Sequence, residues 1–433
     1  MQYKISFILL VFFCSFSGFL ISIFNNKIIN KVINENNSKI NDKSNNKNKA
    51  KNNTEEDKDE KIKNKSIDNN ELNNNEEDKK TIDRDEQNEK NKYFDGNDFL
   101  IEEEEEEDEE IPKKEINKNK DPKKNVIYLS LSIDFKYFYP CIVFLTSLLE
   151  NRGDSTFYHI YILISKSIQS HHISKINTFI EKYGKENLEI EYIKIDDDFN
   201  NAVTSSHISI SAYYRIALPS LLPSLDKIIY TDVDVINFVD LTEMYNLELK
   251  DNIYYKGILD RFELTYELRP FGIITEKYMN SGIVLMNLKS QRKDNVEVRT
   301  RKFITHHYLD HHDQTAINAV CYNNFDILSI KYATFNFNSY KDFVNFNNEQ
   351  NKRYRYSEAE LKQAFNEPTL LHYAGWNKPW DYTLNLKNQE YWWYYAKKSD
   401  FYNEILEFYD APYEEIEKIL TKIPTNGGLL RKK

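Results

Sequence analysis

Apolar runs alternate with amphipathic segments from residue 126 onward. Three runs, at 126–132, 158–165 and 188–196, are rich in Ile, Leu, Val and Tyr and predict strands. The segments 139–150 and 167–183 between them predict helices. Strands that are apolar along most of their length are typical of a sheet covered on both faces. The alternation therefore predicts an α/β fold, with a Rossmann-like, mostly parallel sheet flanked by helices.

A fourth apolar run, 228–231, ends in two carboxylates, Asp232 and Asp234. Pairs with the same spacing occur elsewhere in this aspartate-rich chain, but only these two directly follow an apolar β-branched run. Residues i and i+2 of a strand point to the same side, so the two carboxylates converge just beyond the strand. Ligands of open α/β sheets bind at the carboxyl ends of strands. The pair therefore predicts a site for a divalent cation.

Three further local features follow from the pattern. A helix near 212–218 precedes the fourth strand, and we expect Pro219 to stop it, with Pro223 close behind. A small-residue corner, 280–282, is expected to lead into a later strand. Residues 388–423 alternate aromatic and charged side chains at helical spacing, which favours packing over recognition as the role of these aromatics.

Composition divides the 433-residue chain. Residues 5–24 are uncharged and mostly apolar, and as a helix they span about 30 Å, the thickness of a hydrocarbon core. Their length favours an uncleaved anchor over a cleaved signal peptide, so 1–24 is predicted to be a transmembrane signal anchor. Residues 25–125 are dominated by Asn, Lys, Glu and Asp and predict a disordered stem. The folded domain is predicted at 126–423, followed by a tail at 424–433.

Charge and cysteine content exclude several classes of protein. The formal net charge is −11, and much of it comes from the acidic run at 102–110, so a nucleic-acid partner is not indicated. The three cysteines, Cys14, Cys141 and Cys321, show no paired spacing. They indicate neither a zinc site nor a disulfide framework.

The segment around His372 offers a partner for the carboxylates. A hard divalent cation such as Mn²⁺ or Mg²⁺ takes carboxylate oxygens and tolerates an imidazole. His372 is followed by Gly375, which allows backbone to approach a ligand, and by Lys378, a flexible cation suited to phosphate. The alternative is that His372 is a core histidine at the end of a strand.

Five segments occur in an order that resembles the successive motifs of glycosyltransferase family 8. They are HISISAYYRIALPSLLP, DKIIYTDVDVI, YMNSGIVLMNL, HHDQTAIN and LLHYAGWNKPW. The resemblance extends from residue 125 to about residue 380, essentially the whole of the predicted folded part. The family includes bacterial lipopolysaccharide galactosyl- and glucosyltransferases and glycogenin. The resemblance implies a GT-A fold, Mn²⁺, a UDP-sugar donor and retention of the anomeric configuration.

The resemblance also implies roles for individual residues. Asp232, Asp234 and His372 match the metal ligands, and Gly375 with Lys378 match the contact to the donor's phosphates. The other positions that match donor contacts are Asp134 and Tyr137 after the first strand, Ile208 and Ser209 near the nucleoside, Arg215 at the donor site, and Asn280 and Ser281 at the donor sugar. The positions that match the reaction centre are Asp313 and Gln314 beside the reactive carbon and Asp260 near the donor and acceptor sugars.

These roles suggest a mechanism without a covalent intermediate. A double displacement needs a nucleophile at the reactive face, where the family motif places the amide of Gln314, a poor nucleophile. We therefore expect the acceptor to attack from the face that the leaving group departs from, with the Gln314 carbonyl stabilising positive charge on the sugar. The departing phosphate would accept the acceptor's proton.

The sequence thus predicts a membrane-anchored, retaining, Mn²⁺-dependent hexosyltransferase of the Golgi or endoplasmic reticulum. Its catalytic domain would be lumenal, or secreted if the first segment is cleaved. The donor would be UDP-glucose or UDP-galactose, and the acceptor a glycan, a glycoprotein or a glycolipid. Two alternatives remain open at this stage: an inactive nucleotide-sugar or glycan-binding protein of the same fold, and a self-glucosylating protein like glycogenin.

Overall fold

The computed structural model describes residues 124–195, 199, 209–262, 264–349, 356–425 and 427–430. These residues belong to one compact unit, Asp78–Lys433. The predicted anchor at 5–24 and almost all of the predicted stem lie outside them. Within the described ranges, no helix combines the length and the apolar composition needed to cross a membrane.

The strands begin and end close to the apolar runs of the sequence. They are β1 (Asn125–Ile133), β2 (Thr156–Ile164), β3 (Leu188–Lys194), β4 (Lys227–Thr231), β5 (Val235–Asn237), β6 (Tyr255–Leu259), β7 (Met279–Asn287), β8 (Phe325–Ile327), β9 (Ala333–Phe335) and β10 (Leu370–His372).

The helices cover both faces of the central sheet and form the carboxyl-terminal part. They are α1 (Phe138–Glu150), α2 (Ser170–Tyr183), α3 (Leu218–Leu221), α4 (Thr242–Tyr245), α5 (Leu288–Lys293), α6 (Val296–His306), α7 (His312–Cys321), α8 (Tyr340–Glu349), α9 (Glu358–Asn366), α10 (Gln389–Lys398), α11 (Tyr402–Phe408) and α12 (Tyr413–Leu420). Short 3₁₀ helices lie at Phe135–Tyr137, Ile210–Ala217, Thr265–Phe271 and Tyr382–Leu384.

The central sheet is mostly parallel, as predicted. In the described part of the chain its strand order is β3-β2-β1-β4-β7-β6-β8. β1 pairs in parallel with both β2 and β4, and β2 with β3 and β6 with β8 are parallel as well. β7 runs antiparallel to its neighbours β4 and β6. β2 is buried along its whole length, as expected for a strand covered on both faces.

A small second sheet brings two distant parts of the chain together. Its order is β5-β10-β9, with β10 antiparallel to β5 and parallel to β9. β5 follows directly after the Asp-x-Asp pair, and β10 ends in His372. The antiparallel register places His372 opposite Val235. This pairing, rather than sequence proximity, brings the histidine next to the two carboxylates.

Two local predictions were wrong. Pro219 does not stop a helix, because the residues before it form a 3₁₀ helix and Pro219 lies in the first turn of α3. Proline is tolerated there, since the amide hydrogens of a first turn have no intrahelical acceptor. The small residues 280–282 do not precede a strand, because β7 begins at Met279 and contains them. Met279 pairs with Leu259 next to a register shift in β6, which extends the strand through the small residues.

The carboxyl-terminal aromatics pack in the core, as predicted. Trp392 and Trp393 of α10 are fully buried. Their rings meet edge-on, with centroids 4.9 Å apart. The ring of Trp380 lies 5.7 Å from Trp392 and 5.9 Å from Tyr137. The helical tail is therefore joined by packing to the segment that follows β1.

Candidate active site

The two carboxylates lie where β4 leaves the sheet. β4 ends at Thr231, and the N–H of Asp232 still donates to the carbonyl of Gly282 on β7, 2.7 Å away. Asp234 is buried, whereas the side chain of Asp232 is partly exposed. The hydroxyl of Tyr230 donates to Asp232 Oδ1 at 3.2 Å, as expected for residues i and i+2 of one strand. The end of the central sheet thus holds the pair.

His372 completes a three-residue cluster. Its Nε2 lies 3.3 Å from Asp234 Oδ1 and 4.0 Å from Asp232 Oδ2. The N–H of the next residue, Tyr373, donates to the backbone carbonyl of Asp234 at 2.9 Å, which anchors the two segments to each other. One ligand atom from each member lies within 4.8 Å of the others. Two carboxylates and an imidazole are a donor set that suits a divalent cation such as Mn²⁺.

Two protein cations hold the remaining carboxylate oxygens. Arg215 Nη2 donates to Asp232 Oδ1 at 2.8 Å, and Lys378 Nζ donates to Asp234 Oδ2 at 2.5 Å. Each aspartate therefore uses one oxygen on a protein cation and presents its other oxygen to His372. Because the cations fix both carboxylates, the cluster is preorganised for a metal ion.

The charge pairs decide the protonation state of the buried groups. Burial on its own raises the pKa of Asp234, but the charges and hydrogen bonds of Lys378 and His372 together outweigh it and hold that pKa well below its usual range. Burial lowers the pKa of the Arg215 guanidinium, but Asp232, Tyr230 and Asp313 together outweigh it, and the pKa lies above its usual value. Asp234 and Arg215 are therefore both charged at neutral pH.

Gly282 leaves room for the cluster. A methyl group at this position would come within 2.5 Å of His372 Cε1 and within 2.7 Å of Asp232 Oδ2. Nonbonded carbon atoms normally stay about 3.5–4.0 Å apart. A larger side chain at position 282 would therefore displace His372 and Asp232, two of the three candidate metal ligands.

A hydrogen-bonded network of polar side chains lies beside the cluster. Gln314 Oε1 accepts from Asn280 Nδ2 and from the backbone N–H of Ser281, both at 3.1 Å. Gln314 Nε2 donates to Asp260 Oδ2 at 3.0 Å, and Asn280 Nδ2 donates to the same oxygen at 2.9 Å. A backbone N–H can only donate, so this network fixes the orientation of the Gln314 amide. Both lone pairs of its carbonyl oxygen are engaged by protein donors.

Arg215 connects this network to the candidate metal ligands Asp232, Asp234 and His372. Its Nε lies 3.2 Å from Asp313 Oδ2, and its Nη1 donates to the backbone carbonyl of Ser281. The Ser281 hydroxyl also donates to Asp313 Oδ2, at 3.3 Å. Burial raises the pKa of Asp313, and the guanidinium opposes the shift. One buried guanidinium thus contacts both Asp232 and Asp313.

These groups surround a cavity of about 490 Å³. Most of the residues that the sequence assigns to the donor site and the reaction centre line this cavity. They are Tyr137, Ser209, Arg215, Asp232, Asp234, Asp260, Asn280, Ser281, Asp313, Gln314, His372, Gly375 and Lys378.

Of the predicted donor contacts that the structure describes, only Asp134 does not line the cavity. Asp134 accepts a hydrogen bond from the backbone N–H of Tyr137 at 3.0 Å and one from the Ser209 hydroxyl. Through these hydrogen bonds Asp134 positions Tyr137 and Ser209, which do line the cavity. Its carboxylate caps the 3₁₀ helix Phe135–Tyr137. Ile208 lies outside the described residues, so its predicted contact stays a prediction.

Sequence reasoning did not assign Tyr230, Gly282 and His311 to the site. The ring of Tyr230 lies under the Arg215 guanidinium, 4.4 Å from ring centroid to Cζ. The two-residue spacing from Asp232 could have identified it, since alternate residues of a strand share a face. The same rule relates Gly282 to Asn280. His311 lines the cavity two residues before Asp313, where no strand period applies.

Comparison with known families shows what the site belongs to. Residues 128–384 match the model of glycosyl transferase family 8, more than half of the chain. The chain belongs to glycosyltransferase family 8. The resemblance inferred from the five motifs is thereby confirmed, and the matched residues include the metal cluster and the network beside it.

Curated relatives of this family 8 chain are bacterial. General stress protein A of Bacillus subtilis is 28% identical over 243 residues, which cover 54% of this chain and 80% of that protein. The lipopolysaccharide 1,2-glucosyltransferase of Escherichia coli is 24% identical over 302 residues, covering 67% of this chain and 81% of the relative.

Solved structures support the fold. The galactosyltransferase LgtC, in complex with donor and acceptor sugar analogs, aligns with a TM-score of 0.53 at 20% identity, covering 65% of this chain and 100% of that chain. The bifunctional glycosyltransferase WbbM aligns with a TM-score of 0.53 at 18% identity, but this chain spans only about half of it, 51%. Together with the mostly parallel sheet, these alignments support an α/β fold of the GT-A type.

Proposed function

We propose that this protein is a retaining hexosyltransferase that uses a UDP-sugar donor and a divalent cation, Mn²⁺ or Mg²⁺. The observation that carries the proposal is the convergence of Asp232 Oδ2, Asp234 Oδ1 and His372 Nε2 in the wall of the cavity. Family membership and the adjacent cations support the same conclusion. The acceptor would be a glycan, a glycoprotein or a glycolipid.

The cluster and the two cations would hold the donor's diphosphate. A cation bound by Asp232, Asp234 and His372 would supply Lewis-acid stabilisation of the negative charge that develops on the leaving group. Lys378 is 2.5 Å from Asp234 and lines the cavity, so its ammonium can share its hydrogen bonds between this carboxylate and a phosphate oxygen. Arg215 keeps Asp232 charged and oriented. These residues would stabilise the transition state electrostatically.

The network beside the cluster argues against a covalent intermediate. Asp260 Oδ2 accepts from Asn280 and Gln314, and its Oδ1 accepts from the N–H of Phe262 at 2.9 Å. A carboxylate that accepts three hydrogen bonds is a weak nucleophile, because these bonds stabilise its lone pairs. Asp313 is likewise engaged, with Arg215. We therefore propose attack from the face of departure.

In this reaction the bond between the sugar's C1 and the diphosphate oxygen breaks while the acceptor oxygen bonds to C1 on the same face. The acceptor's proton passes to the departing phosphate, so charge and atoms balance. The Gln314 carbonyl was expected to stabilise positive charge on the sugar. Since that oxygen already accepts two hydrogen bonds, we now assign the stabilisation to the negative charge of Asp260, which Gln314 holds in position.

Glucose or galactose is proposed as the transferred sugar. This choice is supported by the glucosyltransferase of Escherichia coli and the galactosyltransferase LgtC, the two proteins described above whose names specify the transferred sugar. The experiment that tests the proposal is hydrolysis of a panel of UDP-sugars by the purified full-length protein, with and without Mn²⁺. We expect metal-dependent release of UDP and a hexose from UDP-glucose or UDP-galactose. Tight UDP binding without any turnover would refute the enzyme and favour a binding protein.

Anchoring in the membrane of the Golgi or endoplasmic reticulum, with the catalytic domain lumenal, is also proposed. It is supported by the apolar run at 5–24. The test is protease protection of the tagged full chain in intact microsomes, compared with a chain that lacks 1–24. Digestion of the carboxyl-terminal tag in sealed vesicles would contradict the proposed orientation. Recovery of a chain shortened at its amino terminus in the secreted fraction would indicate cleavage.

A further inference from the structure

A histidine in the cavity wall is held by a buried carboxylate. His311 lines the cavity directly before α7, and its Nδ1 lies 2.5 Å from Glu267 Oε1. Glu267 belongs to the 3₁₀ helix Thr265–Phe271. Its side chain is 4% exposed, whereas that of His311 is 40% exposed. The carboxylate is therefore inside the protein, and the imidazole is open to the cavity.

The carboxylate is fixed in place. Glu267 Oε2 accepts a hydrogen bond from the Thr315 hydroxyl of α7 at 2.7 Å. The carbonyl of His311 accepts from the N–H of Gln314 at 3.0 Å, which fixes the histidine to the start of the same helix. Between His311 and Asp313, His312 has a φ of 50°, a left-handed conformation that costs energy outside glycine and is concentrated at functional sites. The chain is thus held in a strained turn that presents His311 on the cavity wall.

The contact with Glu267 determines which ring nitrogen of His311 is left to bind a ligand. A carboxylate accepts only, so Nδ1 carries a hydrogen in both the neutral and the charged imidazole. Among the contacts described for this ring, Nε2 has no protein partner. In contrast, the amide of Gln314 and the carboxylate of Asp260 are bonded to each other. His311 therefore offers this side of the cavity a hydrogen-bonding atom that none of the described residues uses.

We propose that His311 is an acceptor-binding residue, whose Nε2–H donates to an oxygen of a hexoside acceptor, and that Glu267 is its positioning residue. The inference rests on the proposed function and names a part of the same site. Two exposed aromatic side chains on the cavity wall support a sugar as the ligand: Phe262, 62% exposed, and Trp376, 71% exposed. Aromatic faces next to hydrogen-bond donors are suited to the apolar faces and hydroxyls of sugar rings.

The charges around the ring favour a donor rather than a base. The hydrogen bond to Glu267 raises the pKa of His311 from its ordinary value of 6.5, burial opposes this, and the charges of Glu267, Asp260 and Asp310 add to the increase. The imidazolium therefore persists to higher pH than in an isolated histidine. While it persists, Nε2 carries a proton and donates. Above that pKa, Nε2 would no longer donate, and the charge-assisted contact with the sugar oxygen would be lost.

The test compares transfer with hydrolysis in the full-length protein. Transfer to methyl β-glucoside, methyl β-galactoside and lactose is measured together with donor hydrolysis by water. The variants are His311→Phe, which removes the donor, His311→Gln, which retains a neutral donor, and Glu267→Gln. His306→Phe is the matched control, because His306 is an exposed histidine at the end of α6 that is not among the described residues lining the cavity.

We expect His311→Phe to raise the acceptor KM about tenfold to a hundredfold, which corresponds to the loss of one hydrogen bond from a charged donor. The acceptor KM should change much more than the donor KM for hydrolysis, and the control His306→Phe should behave as the wild type. The wild-type acceptor KM should rise as pH increases through the raised pKa of His311. Glu267→Gln should move this rise to lower pH, and His311→Gln should retain most of the acceptor affinity without the pH dependence.

Three results would overturn the inference. One is an unchanged acceptor KM in His311→Phe. Another is a kcat that increases as the histidine deprotonates, which would make His311 a base. The third is a wild-type enzyme that hydrolyses the donor but transfers to none of the three hexosides. A wild-type protein that neither hydrolyses nor transfers would instead refute the proposed function on which the inference rests.

Discussion

Gly282→Ala would test the metal cluster without changing any of its ligands. The new methyl group would lie 2.5 Å from His372 Cε1 and 2.7 Å from Asp232 Oδ2. Carbon atoms in contact stay about 3.5–4.0 Å apart, so the imidazole has to move by about 1 Å. Metal sites tolerate ligand displacements of only about 0.2 Å. Overpacking of this kind costs about 1–3 kcal/mol, which is about fivefold to a hundredfold in affinity.

The assay is calorimetric titration of the full-length protein with Mn²⁺, followed by metal-dependent hydrolysis of the UDP-sugar. Gly272→Ala is the matched control. Gly272 has a φ of 73°, so alanine there is strained by about 1–2 kcal/mol, yet no atom of the described residues lies within 4 Å of the new methyl group. We expect the control to lose stability but to keep its Mn²⁺ affinity. Gly282→Ala should lose both metal affinity and activity.

Wild-type Mn²⁺ affinity in Gly282→Ala would refute the reasoning. It would show either that the metal is bound elsewhere or that the space beside His372 is larger than the structure indicates. A global loss of folding in Gly282→Ala would be recognised by the absence of a cooperative transition in its melting curve. The double variant His372→Gly with Gly282→Ala would then separate the steric clash from a general loss of folding, because removal of the imidazole relieves the closest contact.

The remaining predictions concern the charged groups and the acceptor. Asp234→Asn should abolish transfer while the protein stays folded, since asparagine keeps the shape of the side chain but removes a charged ligand; wild-type activity at saturating Mn²⁺ would contradict this. His372→Ala should mainly weaken Mn²⁺ and donor binding, measured by calorimetry, and a variant that simply unfolds would favour the core-histidine alternative. Arg215→Lys should lower kcat/KM about a hundredfold or more, because lysine cannot bridge the two carboxylates that Arg215 contacts; an unchanged kcat/KM in steady-state assays would refute this. Mass spectrometry after incubation with donor should find no hexose on tyrosines such as Tyr308, which is 75% exposed, and a modified tyrosine would support self-glucosylation.

The site combines two kinds of polar group that serve different ends. The candidate metal ligands are two aspartates, whose charges are balanced by Arg215 and Lys378, and His372, so that the site is charged but preorganised. The network of Asp260, Asn280 and Gln314 is closed on itself by hydrogen bonds and presents one negative charge to the cavity. His311 differs from both, because among the contacts described for its ring only one nitrogen, Nδ1, has a protein partner.

The apolar runs predicted the strands well because burial on both faces leaves a continuous signal. The run at 126–132 became β1 (Asn125–Ile133), and that at 188–196 became β3 (Leu188–Lys194). Proline at 219 was misjudged because its effect depends on its place in the helix, which the pattern does not show. The predicted start of β7 was too late, after residues 280–282. Small residues carry little strand propensity, and here they are held in the strand by pairing with β4 and β6.

By itself, the sequence determined the order of strands and helices and the chemistry at the end of β4, where two aspartates follow an apolar strand. Its motifs also indicated the family, because residues that hold a shared ligand keep their order along the chain. Only the tertiary structure decided which atoms meet. Pairing of β10 with β5 brings His372 to the aspartates. The buried guanidinium of Arg215 joins Asp232 to Asp313. The space at Gly282 and the pairing of Glu267 with His311 likewise depend on contacts between residues far apart in the chain, which local patterns do not encode.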